Sequence, residues 1–111
     1  MIDTINAEAL AVSAAQFRAL GDPARLRVLQ LLQSGPLCVC KIQAALGEIA
    51  PNLLSYHLGI LRSADLVLVQ RRGRWLDYRL NESVLKALRD HVPQLENRPQ
   101  EFGRVCGAQS S

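Results

Sequence analysis

The chain has 111 residues, 49% of them hydrophobic but mostly small or aliphatic: 19 Leu and 13 Ala stand against two Phe, two Tyr and one Trp. That length gives one compact unit rather than two domains, and the Ala/Leu bias favours helices, with a core small enough that dimerisation is expected to complete it. The formal charge is only +3, although eleven of the thirteen cations are Arg, so cation placement must carry any argument for a polyanionic partner.

No apolar run approaches the ~18 residues of a membrane span, and the amino terminus lacks the basic-then-apolar order of a secretion signal. Three cysteines, two of them one residue apart, do not make a disulfide scaffold. A cytoplasmic protein with no membrane partner is expected.

From Ala7 to Leu20 the chain is Ala-rich without Gly or Pro, and Leu10, Ala14 and Phe17 align at helical spacing, leaving Gln16 and Arg18 outward. Gly21 stops this helix. Asp22 is a good N-cap and Pro23 a good first residue for a second helix to about Gln33, with Leu26, Val28, Leu29 and Leu32 inward and Arg25 and Arg27 outward. Ser34-Gly35-Pro36 ends it. Cys38 to Leu46 reads as a short helix closed by Gly47, and Pro51 opens another that reaches Ala64 or Asp65. Leu66 to Arg72 and Trp75 to Leu80 are extended runs joined at Gly73, a hairpin. Asn81 caps a last helix from Glu82 to His91, halted by Pro93. The expected architecture is mainly α with a small β-hairpin, a folded unit over residues 1–92 and a flexible tail over 93–111.

Two helices with a tight connection form a helix-turn-helix unit. On a helical wheel Asn52, Ser55, Tyr56, Gly59, Arg62 and Ser63 share one arc, and Leu53, Leu54, Leu58, Ile60 and Leu61 lie opposite. The polar arc is either a solvated face or a surface that reads a major groove near its start and holds phosphate through Arg62. Arg71, Arg72 and Arg74 surround Gly73 with no carboxylate in the turn, which favours a wing that contacts double-stranded DNA over a charge cluster that protects a sheet edge. His57 falls among the leucines and is expected to be a structural, hydrogen-bonded histidine.

Three stretches then carry a resemblance: Ala19-Leu20-Gly21-Asp22-Pro23-Ala24-Arg25-Leu26-Arg27-Val28-Leu29, Leu54-Ser55-Tyr56-His57-Leu58 through Leu61-Arg62, and Arg71-Arg72-Gly73-Arg74 to Tyr78-Arg79-Leu80. Spanning residues from about 10 to 92, the chain resembles the ArsR/SmtB winged-helix metal-sensing repressors. The resemblance implies a winged helix-turn-helix homodimer formed by the first and last helices, one reading helix per subunit, no cofactor needed for DNA binding, and operator release on binding an inducer. Ala50 stands where a polar cap would sit, and Leu53-Leu54 make the first turn of the reading helix unusually apolar.

Cys38-Val39-Cys40 resembles the cysteine pair of the arsenic-responsive members of that family. Thiolates select soft ions over magnesium or calcium, leaving As(III) or Sb(III) as inducer, or else cadmium, lead or zinc. On a regular helix residues i and i+2 point about 200° apart, so a shared ion is expected to distort the first turn and move the reading unit. The family's arsenic-type pattern often has a third Cys where this chain has Gln43; Cys106 completes a three-sulfur site or is an unused thiol, and a small thiol or water is the other way to complete a two-cysteine site. Alternatively the pair is two small buried hydrophobes, a peroxide-sensing thiol switch, or the nucleophile of a small redox enzyme, although no base and no Cys-x-x-Cys spacing accompany it. No second His joins Asp90 and His91 at ligand spacing, so no zinc site is expected on the last helix; His91 reads as a cation complementing that helix's dipole.

Overall fold

A computed structural model describes residues 4–93. The tail from residue 94 onward, with Cys106, lies outside the described residues. Helix α1 (Thr4–Leu20) starts a turn earlier than its composition suggests and ends at Gly21, whose N–H bonds the Arg18 carbonyl at 3.1 Å. Asp22 starts α2 (Pro23–Leu31) by accepting from the N–H groups of Ala24 and Arg25 at 2.8 and 3.2 Å, with Pro23 in the first turn where no N–H is needed. A 3-10 turn over Leu32–Ser34 tightens the end of α2, and Gly35, at φ +132°, turns the chain away.

Where one helix is predicted from Cys38, the chain instead forms a short strand, β1 (Leu37–Cys38), followed by α3 (Val39–Leu46). Cys38 is the N-cap of α3, with extended backbone (φ −77°, ψ 163°). A two-residue strand carries no periodicity and is visible only through its pairing, Leu37 opposite Tyr78 and Cys38 opposite Asp77. After α4 (Pro51–Ser63), β2 (Val67–Arg72) and β3 (Trp75–Leu80) form the predicted hairpin around Gly73 (φ +63°), and the antiparallel sheet has the order β1-β3-β2. Helix α5 (Glu82–Asp90) follows. Asn81 occupies its N-cap position, but its side chain donates to the Asp65 carbonyl at 2.9 Å, bracing the exit of α4, where Asp65 itself has φ +62°.

Val28 and Leu32 of α2, Ile42 of α3, Leu54, Leu58 and Leu61 of α4, Leu66, Val67, Tyr78, and Leu88 of α5 make one core. Five expected core residues lie outside it: Leu10, Phe17, Leu26 and Leu53 are 56, 39, 46 and 45% exposed, and Ala14 is exposed as well. Helical spacing identifies a face but not what covers it. Among residues 6–20 of α1, Ser13 and Ala19 are the buried positions. Ser13 bonds the Nδ1 of His91, so that histidine ties the end of α5 to α1 as well as standing at a helix C-terminus. No helix among the described residues is long and apolar enough to cross a membrane.

Candidate nucleic-acid interface and thiol site

The turn between α3 and α4 is held from within. Gly47, at φ +79°, returns its N–H to the Gln43 carbonyl at 3.2 Å, and the Gln43 side chain donates to the Ile49 carbonyl. Gln43, which stands where the resemblance looks for a third thiol, thus fixes the angle between the two helices. Ala50 caps α4 without a side-chain bond and Pro51 supplies the first turn. The wheel holds for the polar arc, with Asn52, Ser55, Tyr56, Gly59, Arg62 and Ser63 exposed and Leu54, His57, Leu58 and Leu61 buried, but not for Leu53, which is exposed, or Ile60, which is half-buried. Part of that exposed face, Ser55, Tyr56, Gly59 and Ser63, lines a groove of about 710 Å³ whose other wall includes Arg18 and Arg25. Arg18 joins the cationic set by tertiary packing.

His57 is 6% exposed and structural, as expected, but its partner is Arg25, which is half-buried rather than outward. Arg25 donates from Nε to the Ala19 carbonyl at 2.6 Å and from Nη1 to His57 Nδ1 at 2.9 Å. A guanidinium has no acceptor to offer, so His57 Nδ1 is the acceptor. The Asp22 carboxylate lies 3.9 Å from His57 Nε2. Burial alone would raise the Asp22 carboxyl, but the N–H groups of Arg25 and Ala24, with the nearby His57 and Arg25, hold it below its ordinary value. Asp22, Arg25 and His57 thereby lock α4 to the start of α2.

On the wing, Arg71, Arg72 and Arg74 are all exposed. Arg72 nevertheless has a carboxylate partner that inspection of the turn alone misses: Asp77, diagonal to it across the hairpin, accepts from Nε at 2.7 Å and from Nη2 at 3.1 Å. The hydrogen bond from Arg72 holds Asp77 below its usual range. Arg71 reaches the Gly73 carbonyl at 3.4 Å.

Cys38 and Cys40 do not diverge as a regular helix would require. Cys38 sits in β1 with extended backbone, and its Sγ lies 2.8 Å from that of Cys40. The expectation that a shared ion must unwind the first turn is therefore wrong, because the strand-to-helix junction already converges the sulfurs. The Cys40 thiol hydrogen-bonded to Cys38, and then the N–H of Lys41, draw the Cys38 thiol below its ordinary value; the same contact pushes Cys40 up. The contact thus favours the ionised form at Cys38 and the neutral form at Cys40. Since Cys38 is half-buried and Cys40 exposed, neither is the fully buried small hydrophobe of the bland alternative. Among the described residues no group of three or more His, Cys, Asp or Glu side chains is placed to hold a metal ion. Two sulfurs form the donor set, and Cys38 is also the register partner of Asp77 on the wing strand.

A three-stranded antiparallel sheet with a basic hairpin tip, packed beside a helix-turn-helix with an exposed polar second helix, defines a winged helix-turn-helix DNA-binding protein. Residues 22–68 match the model of the arsR family of bacterial regulatory proteins. An HTH-type transcriptional regulator of Methanocaldococcus jannaschii is 39% identical over 80 residues, 71% of this chain and 89% of that one. The arsenical resistance operon repressor of Bacillus subtilis is 35% identical over 88 residues, 78% of this chain and 83% of that one. The homodimeric winged helix-turn-helix domain of a possible ArsR-family regulator from Mycobacterium bovis superimposes with a TM-score of 0.71 at 30% identity, covering 81% of this chain and 83% of that one. The chain belongs to the arsR family, whose members are DNA-binding transcriptional regulators and not enzymes.

Proposed function

We propose that the protein is a homodimeric, cytoplasmic transcriptional repressor that holds operator DNA until As(III) or Sb(III) binds Cys38 and Cys40. The observation that carries this reading is the 2.8 Å approach of the two sulfurs at the junction of β1 and α3. The Cys38 thiolate displaces one hydroxide from the trivalent centre and Cys40 a second; the thiol protons leave as water, and no oxidation state changes. The third valence keeps hydroxide or takes Cys106, a choice that Cys106→Ser decides.

DNA contact is assigned to Asn52, Ser55 and Tyr56 at base edges and to Arg62, Arg71, Arg72 and Arg74 at phosphate, with Arg18 added from the groove beside α4. Dimerisation is assigned to α1 and α5. Its support is the apolar surface that α1 leaves uncovered, with Leu10 and Val12 more than half exposed and Phe17 39% exposed.

The path from thiols to DNA is short. Bonding both thiolates to one centre would fix the separation of two sulfurs that the fold has already brought together. One sulfur is fixed in β1, paired to wing strand β3, and the other in α3, the first helix of the reading unit. Tying them to one centre therefore couples the wing to the reading unit. The test is an operator titration challenged in turn with arsenite, antimonite, cadmium, lead, zinc and peroxide. Release by arsenite and antimonite at the lowest concentrations is expected. Release by zinc, cadmium or lead alone would move the assignment to a divalent sensor, and by peroxide alone to thiol oxidation.

A further inference from the structure

Beside the thiol pair lies a groove of about 460 Å³ that the proposed reaction with inorganic metalloid does not use. Val39, Cys40 and Gln43 of α3 form one wall, and Arg74, Trp75 and Leu76 of the wing form the other. Trp75 is the sole tryptophan of the chain and is 48% exposed although it flanks the turn of a hairpin. An apolar cavity of about 150 Å³ accommodates benzene, so the groove has ample room for a ring.

Resting on the reading of Cys38 and Cys40 as a trivalent-arsenic site, we propose that this groove receives the organic substituent of an aryl arsenical, R–As(III). Such a centre has one valence committed to carbon and two open, and two converged thiols are all the described residues offer it. In the balanced step R–As(OH)2 loses both hydroxyls, two As–S bonds form to Cys38 and Cys40, two waters leave with the thiol protons, and the As–C bond and the oxidation state are untouched. Because Cys40 lines the groove, arsenic bound to its sulfur sets the aryl group beside the indole of Trp75, with Val39 and Leu76 as apolar neighbours. The ligand then touches both the reading unit and the wing.

The test uses the full chain on its operator, titrated separately with phenylarsonous acid and with arsenite, in wild type, Trp75→Ala and Trp75→Phe. The quantity read is the ratio of the two half-release concentrations within each variant, which cancels any effect of the substitution on DNA affinity itself. Trp75→Ala should raise the phenylarsonous acid requirement roughly three- to tenfold relative to arsenite, the scale of one aromatic contact, and Trp75→Phe should restore most of it. In wild type, phenylarsonous acid should also change Trp75 fluorescence, and Cys40→Ser should abolish that change. An unaltered ratio in Trp75→Ala, with arsenite still releasing DNA, overturns the groove assignment alone. Failure of both compounds to release DNA or to block the thiols overturns the groove assignment and the metalloid reading together.

Discussion

Replacing Arg25 with Ala strikes a polar clamp that ties α2 to α1 and α4. The guanidinium serves the Ala19 carbonyl at 2.6 Å and His57 Nδ1 at 2.9 Å, and the residues it serves are 4% and 6% exposed. Its loss leaves two buried acceptors without that donor. A hydrogen bond from a charged group is worth about 1.5–3 kcal/mol. Because Arg25 is itself half-buried, water reaches part of the space it vacates, so a net loss of roughly 2–3 kcal/mol is expected rather than the full sum for two bonds. With a urea m-value of about 1–1.5 kcal/mol/M, the unfolding midpoint should fall by roughly 2 M. Urea titrations followed by helical circular dichroism, at one fixed protein concentration because the stability of the proposed dimer depends on it, give the number. Arg25→Lys should recover less than half, since one ammonium cannot span both acceptors in the planar fork geometry. In Arg25→Ala, a second change of His57→Ala should cost less than it does alone. A loss below about 0.5 kcal/mol, or full recovery by lysine, would refute the clamp.

Three further outcomes follow from the geometry. Asp22 and Asp77 are both held below their ordinary carboxylate values, so the stability they lend is present above the unfolded-state value and lost as pH falls through the folded one; denaturation should steepen from about pH 4 downward, and Asp22→Asn, which keeps a capping oxygen but cannot titrate, should flatten that limb. Cys40→Ala removes the hydrogen bond that lowers Cys38, so the pH profile of Cys38 alkylation should move upward; an unchanged or downward-shifted midpoint would contradict that effect of the contact. Arg74→Ala should reduce the salt slope of operator binding by about 2 per dimer, one phosphate contact in each protomer, whereas Arg72→Ala should reduce it less, because Asp77 already balances that charge; equal slopes would show that the ion pair opens on DNA.

The elements with strong local chemistry are legible in the sequence. Asp22-Pro23 starts α2, Gly47 and Pro51 bracket the turn of the helix-turn-helix, Gly73 places the hairpin, and the polar arc of α4 follows from helical spacing alone. What is hidden comes from contacts between distant residues. The strand at Leu37–Cys38 exists through its pairing with Asp77 and Tyr78, and it alone converts two apparently divergent cysteines into a converged pair. Arg25 looks outward on its own helix because its partners, Ala19 and His57, belong to α1 and α4. Arg72 appears unpaired in the turn because its carboxylate stands five residues on; the hairpin register, once drawn, makes Asp77 its diagonal neighbour and was the available signal. Leu10 and Phe17 fit a core pattern that one protomer does not bury, as in a helix whose apolar face awaits a second chain.

The central claim is that gathering Cys38 and Cys40 around a trivalent metalloid weakens the hold on DNA. Its most direct measure is the operator affinity of the protein with and without saturating arsenite, at one salt concentration, in wild type, Cys38→Ser and Cys40→Ser. A weakening of about 5- to 150-fold in wild type, absent from both serine variants, is the predicted result. Equal affinities with and without arsenite in wild type, or the same weakening in a serine variant, would contradict it.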